Sequence, residues 1–228
     1  MKSTLRATRD DELFFLGDYI DRGPEPLKVL DWLMEREKDP HVVMLRGNHE
    51  QMMLDHEVSK ASQRVLGWRV PKEDRGDDWL DNGGWMTTLR MQELRAAKTP
   101  EDFAAYRDRL FPFLAELPLS FRIEAGGRDF FFCHAGVRPG VPLEDQDAED
   151  LLWIRAGFHV GYAGEAVIVA GHTPVRDIPR RSAASSDRDE DIPIMEDNMI
   201  LADTGACYGG RLSCVDVLSG RVWQDGWD

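Results

Sequence analysis

Five times along this chain a short apolar run breaks abruptly into a polar turn that contains glycine. LFFL (13–16) leads into GDYIDRG, VVML (42–45) into RGNHE, DFFFC (129–133) into HAG, AVIVA (166–170) into GHTP, and NMILA (198–202) into DTGACYGG. A run of this length, bounded by turn residues, has the composition of a buried β-strand. Helical patterns lie between them. Residues 25–37 carry Leu27, Leu30, Trp32, Leu33 and Met34 after a proline-rich start, and residues 49–58 continue from the RGNHE turn. A helix within 86–117 opens at Thr99-Pro100-Glu101, where proline suits the first turn. Strands alternating with helices predict an α/β fold. RLSCVDVLSGRVW (211–223) reads as a closing hairpin around Ser219-Gly220 and adds antiparallel sheet. Residues 67–85, rich in tryptophan, acids and glycine, read as irregular. Within the polar stretch 176–197, composition predicts a flexible loop over 182–191.

Composition excludes several classes of function. At 228 residues the chain suits one α/β domain over 1–228. A formal net charge of −14 disfavours nucleic acid and anionic membranes as partners, since both select a basic footprint. No apolar run approaches the ~20 residues that span a bilayer. The N-terminus MKSTLRATRDDE has no apolar signal core, so the expected location is the cytoplasm. Cys133, Cys207 and Cys214 lack CxxC spacing, so neither a disulfide framework nor a cysteine zinc site is expected.

In open α/β sheets, functional groups gather beyond the carboxyl ends of the strands. The strand ends here supply Asp18 and Asp21, Asn48 and His49, His134, and His172. A lone histidine is more often structural than a ligand. A carboxylate, an amide oxygen and two imidazoles, each at its own strand-to-loop junction, form a mixed oxygen and nitrogen set. Such a set suits manganese, iron or zinc better than calcium.

GDYIDRG, RGNHE, HAG and GHT, in that order, resemble the motifs of the calcineurin-like metallophosphoesterases, specifically the phosphoprotein phosphatase branch. LLWIR (151–155) and DTGACYGGRL (203–212) are similar to segments of bacterial members of that branch. The resemblance implies a four-layer α/β fold, two mixed β-sheets flanked by helices. It implies hydrolysis of phosphomonoesters, foremost phosphoserine and phosphothreonine in proteins, by a metal-activated water. The partner is then a phosphorylated protein or a small phosphoester, and the cofactor a divalent ion, manganese first with iron or zinc as alternatives. By the same resemblance Asp18 bridges two ions, while Asn48, His134 and His172 complete the second metal site. His49 is the general acid, oriented by Asp21. Arg22 and Arg155 grip the phosphate, with Asn48 beside it. The chemistry agrees: metals neutralise a dianionic phosphate and acidify water, arginine's planar fork matches phosphate oxygens, and an alkoxide leaves more readily once protonated. A symmetrical dinucleoside tetraphosphate hydrolase and a catalytically impaired phosphate-binding module are the alternative readings.

The sequence departs from the family pattern at its start. Members open with a strand ending in GD-x-HG, whose Asp and His complete the first metal site; here the first strand candidate leads straight into GDYIDRG. The expectation is an N-terminally truncated domain lacking its first βα unit, with one complete metal site and half of another. Asp10, Asp11 and Glu12 precede the strand and lie at its wrong end. Among the remaining polar residues, His56 reads as solvated, and His41 and His159 as structural or solvent-facing. Trp68, Trp79 and Trp85 read as packing of a cap segment rather than a substrate rim. Glu50 reads as fixing its turn through backbone hydrogen bonds. Asp203 divides between support of a metal-bound histidine and a turn role.

Overall fold

The computed structural model describes residues 8, 10–66, 76–155, 157–178, 192–196 and 198–226. The flexible loop expected over 182–191 lies outside the described residues. The elements run β1 (Leu13–Phe15), α1 (Pro26–Met34), β2 (Val42–Met44), α2 (Asn48–Leu66), α3 (Gly76–Trp79), α4 (Trp85–Ala97) and α5 (Pro100–Glu116). They continue with β3 (Ser120–Ala125), β4 (Arg128–Cys133), α6 (Ala148–Trp153), α7 (Phe158–Gly161), β5 (Val167–Ala170), β6 (Ile194–Glu196), β7 (Met199–Leu201), β8 (Arg211–Val215) and β9 (Val222–Gly226). The expected α/β class, with a mixed sheet and flanking helices, is what the chain forms. No helix among the described residues is long and apolar enough to cross a membrane.

The chain divides into two compact units, residues 17–118 and residues 1–16 with 119–228. In the first, α1, α2, α4 and α5 pack on one another. Pro26, Leu30, Leu33 and Met34 recur at intervals of one helical turn and are buried, which is the apolar stripe an amphipathic helix turns to a core. Leu45, Met52, Met53, Leu110 and Leu114 fill the rest. Thr99 caps α5, its side chain accepting from the Asp102 N–H at 3.1 Å ahead of Pro100, as the sequence predicts. Arg46 ties the RGNHE turn to the end of α5. Its guanidinium donates to the carbonyls of Ala115 (2.5 Å) and Leu117 (3.1 Å), and its backbone N–H donates to the carbonyl of Pro118 (2.9 Å).

The segment 67–85 is less irregular than its composition suggests. Residues 67–75 are not described, but 76–97 are helical, with a π-helical turn over Leu80–Gly84 in which Gly83 takes φ 107°. Gly83 and Gly84 let two helical stretches meet at a bend there.

The second unit holds a five-stranded mixed sheet in the order β3-β4-β5-β7-β6. β4, β5 and β7 run parallel, and β3 and β6 pair antiparallel on the two edges. Alternation along β4 splits its phenylalanines between two faces. Phe131 and Cys133 join Leu151, Phe158, Ile168 and Leu201 in one core, under α6 and α7. Phe132 faces the other way, where Phe14 of β1 stacks on it with ring centroids 4.0 Å apart. β8 and β9 form the hairpin read at 211–223.

Candidate functional site

Backbone conformation singles out the motif residues. Among the described residues, the non-glycine positions with positive φ are Asp18 (59°), Asp21 (70°), Arg22 (54°) and His172 (65°). A left-handed backbone is disfavoured for any residue carrying a Cβ, and it persists only where the surroundings impose it.

In the first unit Glu50 imposes it. Its buried carboxylate accepts backbone N–H bonds from Asp18 (2.9 Å) and Gly47 (2.9 Å) on one oxygen, and from Tyr19 (2.7 Å) and Ile20 (3.3 Å) on the other. The turn-fixing role expected of Glu50 is the one it plays. Burial, and then the charge of Asp18, push its carboxyl up to about 7 against these donors. Gly47 lies so close that a Cβ there would sit 2.3 Å from both the amide nitrogen and a carboxylate oxygen of Asp18. The backbone N–H of His49 also points at that carboxylate, at 3.2 Å.

The second feature of this unit is a buried carboxylate with three side-chain donors. Asp21 Oδ2 meets His49 Nδ1 at 2.6 Å and accepts the indole N–H of Trp79 at 2.8 Å. Its Oδ1 accepts the hydroxyl of Thr87 at 2.6 Å, and the same hydroxyl oxygen accepts the Asp21 N–H at 3.0 Å. An ionised carboxylate only accepts, so His49 presents Nδ1–H to it and turns Nε2 away. Burial opposes a charged imidazolium. The hydrogen bond to Asp21 and the negative charges of Asp18 and Asp21 outweigh it, and the histidine stays protonated to higher pH than a free one. Trp79 and Thr87 were not legible as parts of a site, because no local motif links them to a residue 58 or 66 positions away. Trp79, expected only to pack, is 2% exposed and donates; Trp85 is exposed. His56 is a correction: it is buried, with its ring 5.1 Å from that of Trp79, because α2 turns that face inward rather than to solvent.

The second unit supplies two histidines. His134 Nδ1 lies 2.6 Å from the carbonyl of Leu16, so it carries the proton there and Nε2 is the acceptor nitrogen of the ring. That Nε2 is 3.1 Å from Nδ1 of His172. Two imidazole nitrogens converging on one locus, with one ring anchored through its far N–H to a carbonyl, have the form of a metal-binding pair. The donor chemistry therefore fits a divalent ion. Arg155 is exposed and reaches the His172 carbonyl at 3.3 Å. Asp203 takes the turn role, accepting the Gly205 N–H at 2.8 Å. His159 is buried beside Phe158, and His41 is exposed. Burial pushes the Cys133 thiol up, so it is an inert core residue.

A family model described as calcineurin-like phosphoesterase matches residues 2–202. The chain is 31% identical over 212 residues to serine/threonine-protein phosphatase 1 of Salmonella typhimurium, covering 90% of this chain and 78% of that protein. It is 24% identical over 219 residues to an asymmetrical bis(5'-nucleosyl)-tetraphosphatase PrpE of Anoxybacillus flavithermus, covering 90% and 74% of the two. A crystal structure provisionally described as a diadenosine tetraphosphatase has the same fold, with a TM-score of 0.59 at 19% identity over 96% of this chain and 82% of that one. The chain belongs to the calcineurin-like phosphoesterases, a family of metal-dependent hydrolases. Within the second unit, His134 and His172 are candidate ligands for a divalent ion.

Proposed function

We propose that the chain hydrolyses phosphomonoesters of alcohols, with phosphoserine and phosphothreonine in proteins as the substrate class. The observation that carries the reading is the buried pair in which Asp21 holds Nδ1 of His49 at 2.6 Å. Such a pair leaves Nε2 as the proton donor, and its proton goes to the leaving alkoxide oxygen as the P–O bond breaks. A serine alkoxide is a strong base and gains much from that proton. A nucleotide leaving from a polyphosphate is already stabilised and gains less.

Asp18, Asn48, His134 and His172 are the residues proposed to hold the ion, for which manganese suits the oxygen and nitrogen donors, with iron or zinc as alternatives. When bound, a divalent ion neutralises phosphate charge and acidifies the attacking water. Arg22 and Arg155 orient the phosphate through charge-assisted bonds, with Asn48 beside them. Similarity to the Salmonella phosphatase supports the protein-phosphate reading. Similarity to the PrpE proteins supports dinucleoside tetraphosphate hydrolysis as the second reading; those relatives are asymmetrical, not symmetrical, enzymes.

Activity with added manganese on a phosphoserine peptide and on diadenosine tetraphosphate separates the two. In the same assay His49→Asn should lose about 100-fold or more on the peptide and far less on p-nitrophenyl phosphate, whose leaving group is a weak base. Equal losses would assign His49 to binding rather than proton donation. Phosphate binding without turnover of any substrate would leave only the phosphate-binding module.

A further inference from the structure

Asp21 raises a question that the His49 pair alone does not answer. A carboxylate rotates broadly about its last torsion, so one histidine bonded to one oxygen does not fix its plane. Here both oxygens are pinned. Trp79 Nε1–H lies on Oδ2 at 2.8 Å beside His49, and the Thr87 hydroxyl lies on Oδ1 at 2.6 Å while clasping the Asp21 N–H at 3.0 Å. Thr87 is 0% exposed and Trp79 is 2% exposed. Both come from the 76–97 helical segment, bent at its π-helical turn. The glycines of that bend make room for the arrangement. A Cβ at Gly84 would lie 2.6 Å from the Trp79 ring, and one at Gly83 would lie 2.9 Å from Cγ of Arg22.

We propose that Trp79 and Thr87 are positioning residues for proton donation: they lock the plane of the Asp21 carboxylate, which in turn aims Nε2 of His49 at the leaving oxygen. The inference rests on the reading of His49 as the proton donor. A 1 Å error in aim is enough to lose about 100-fold in rate, so a hydroxyl and an indole that never touch substrate carry a catalytic effect. If the two residues only satisfied a buried charge, their loss would weaken the fold without regard to leaving group.

The test compares Thr87→Val, Thr87→Ser and Trp79→Phe with wild type, on the manganese-loaded protein. His49→Asn is measured in parallel. Expected are losses of about 10- to 100-fold in kcat on a phosphoserine peptide for Val and Phe, and of roughly 3-fold or less on p-nitrophenyl phosphate, with KM little changed. Ser should restore the peptide rate to within about 3-fold, since it keeps the hydroxyl. A second readout needs no catalysis: in the metal-free protein the downfield proton resonance of His49 Nδ1–H should move or vanish in Thr87→Val and Trp79→Phe and persist in Thr87→Ser. If one variant fails to fold, the other reads the same geometry. Equal losses on both substrates in folded variants, or an unchanged resonance in both, overturn the proposal. A His49→Asn enzyme without the leaving-group split overturns the proton-donor reading itself.

Discussion

Gly47→Ala is the smallest change that tests the geometry around Asp18. Gly47 is not among the positive-φ glycines, so the backbone tolerates alanine and only space is at issue. The added methyl would stand 2.3 Å from the Asp18 amide nitrogen and Oδ1 and 2.8 Å from Glu50 Oε2, where ordinary contact begins at 3.4 Å. The atoms must therefore part by about 1 Å, and neither neighbour is free to yield. Asp18 is held by its strained backbone, and Glu50 by four N–H donors. Overpacking a rigid site costs about 1–3 kcal/mol. A carboxylate displaced by about 1 Å costs on the order of 100-fold in turnover. Urea denaturation, manganese titration by calorimetry and phosphatase rates measure the three consequences. Gly23→Ala is the control, because its methyl would meet only the Asp21 carbonyl at 3.6 Å; its stability should stay within about 1 kcal/mol of wild type. A Gly47→Ala protein as stable, as tight for manganese and as active as the control would refute the argument.

Other outcomes follow from single contacts. In the metal-free protein the raised Glu50 carboxyl, at about 7, makes the folded state bind its proton more tightly than the unfolded chain does; stability from this group is full below pH 4.5 and declines as pH rises through about 7. Urea midpoints between pH 5 and 7.5 should fall more steeply for wild type than for Glu50→Gln, and parallel slopes would contradict it. Removing metal with EDTA should lower the melting temperature, and added manganese should raise it again with the logarithm of its concentration above Kd; an unchanged melting point in both conditions would count against the proposed ligands. Thr99→Ala removes the cap of α5 and should destabilise by about 1 kcal/mol with no change in kcat. A change in kcat there would mean that α5 is coupled to the site in a way its cap does not explain.

Much of the fold could be read from local chemistry, because the buried parallel strands β4, β5 and β7 are short apolar runs with abrupt ends. The edge strands could not. β3, SFRIEA, is half exposed along its length, and β6 is three residues long; both owe their pairing to a neighbour rather than to their own pattern. The site divides in the same manner. Asp18, Asp21, Asn48, His49, His134 and His172 sit directly after strands, where type and place together point to chemistry. Trp79, Thr87 and the buried state of His56 depend on how a helix bends and which face it turns inward. Thr87 reads as an ordinary helical threonine until the fold sets it against Asp21.

The left-handed backbone at Asp18, Asp21, Arg22 and His172 bears on how such a chain drifts under mutation. Aspartate and histidine are among the side chains that tolerate this conformation best, so at three of the four positions the residue wanted for chemistry is also one the backbone can accept. Arginine has no such allowance, and at φ 54° glycine or asparagine would fit Arg22's place more comfortably. A population selected for thermal tolerance alone would accordingly tend to discard this guanidinium early, and with it the proposed grip on phosphate, while the rest of the turn stayed intact. On the role proposed for it, Arg22 persists in a lineage only while phosphate recognition is itself under selection.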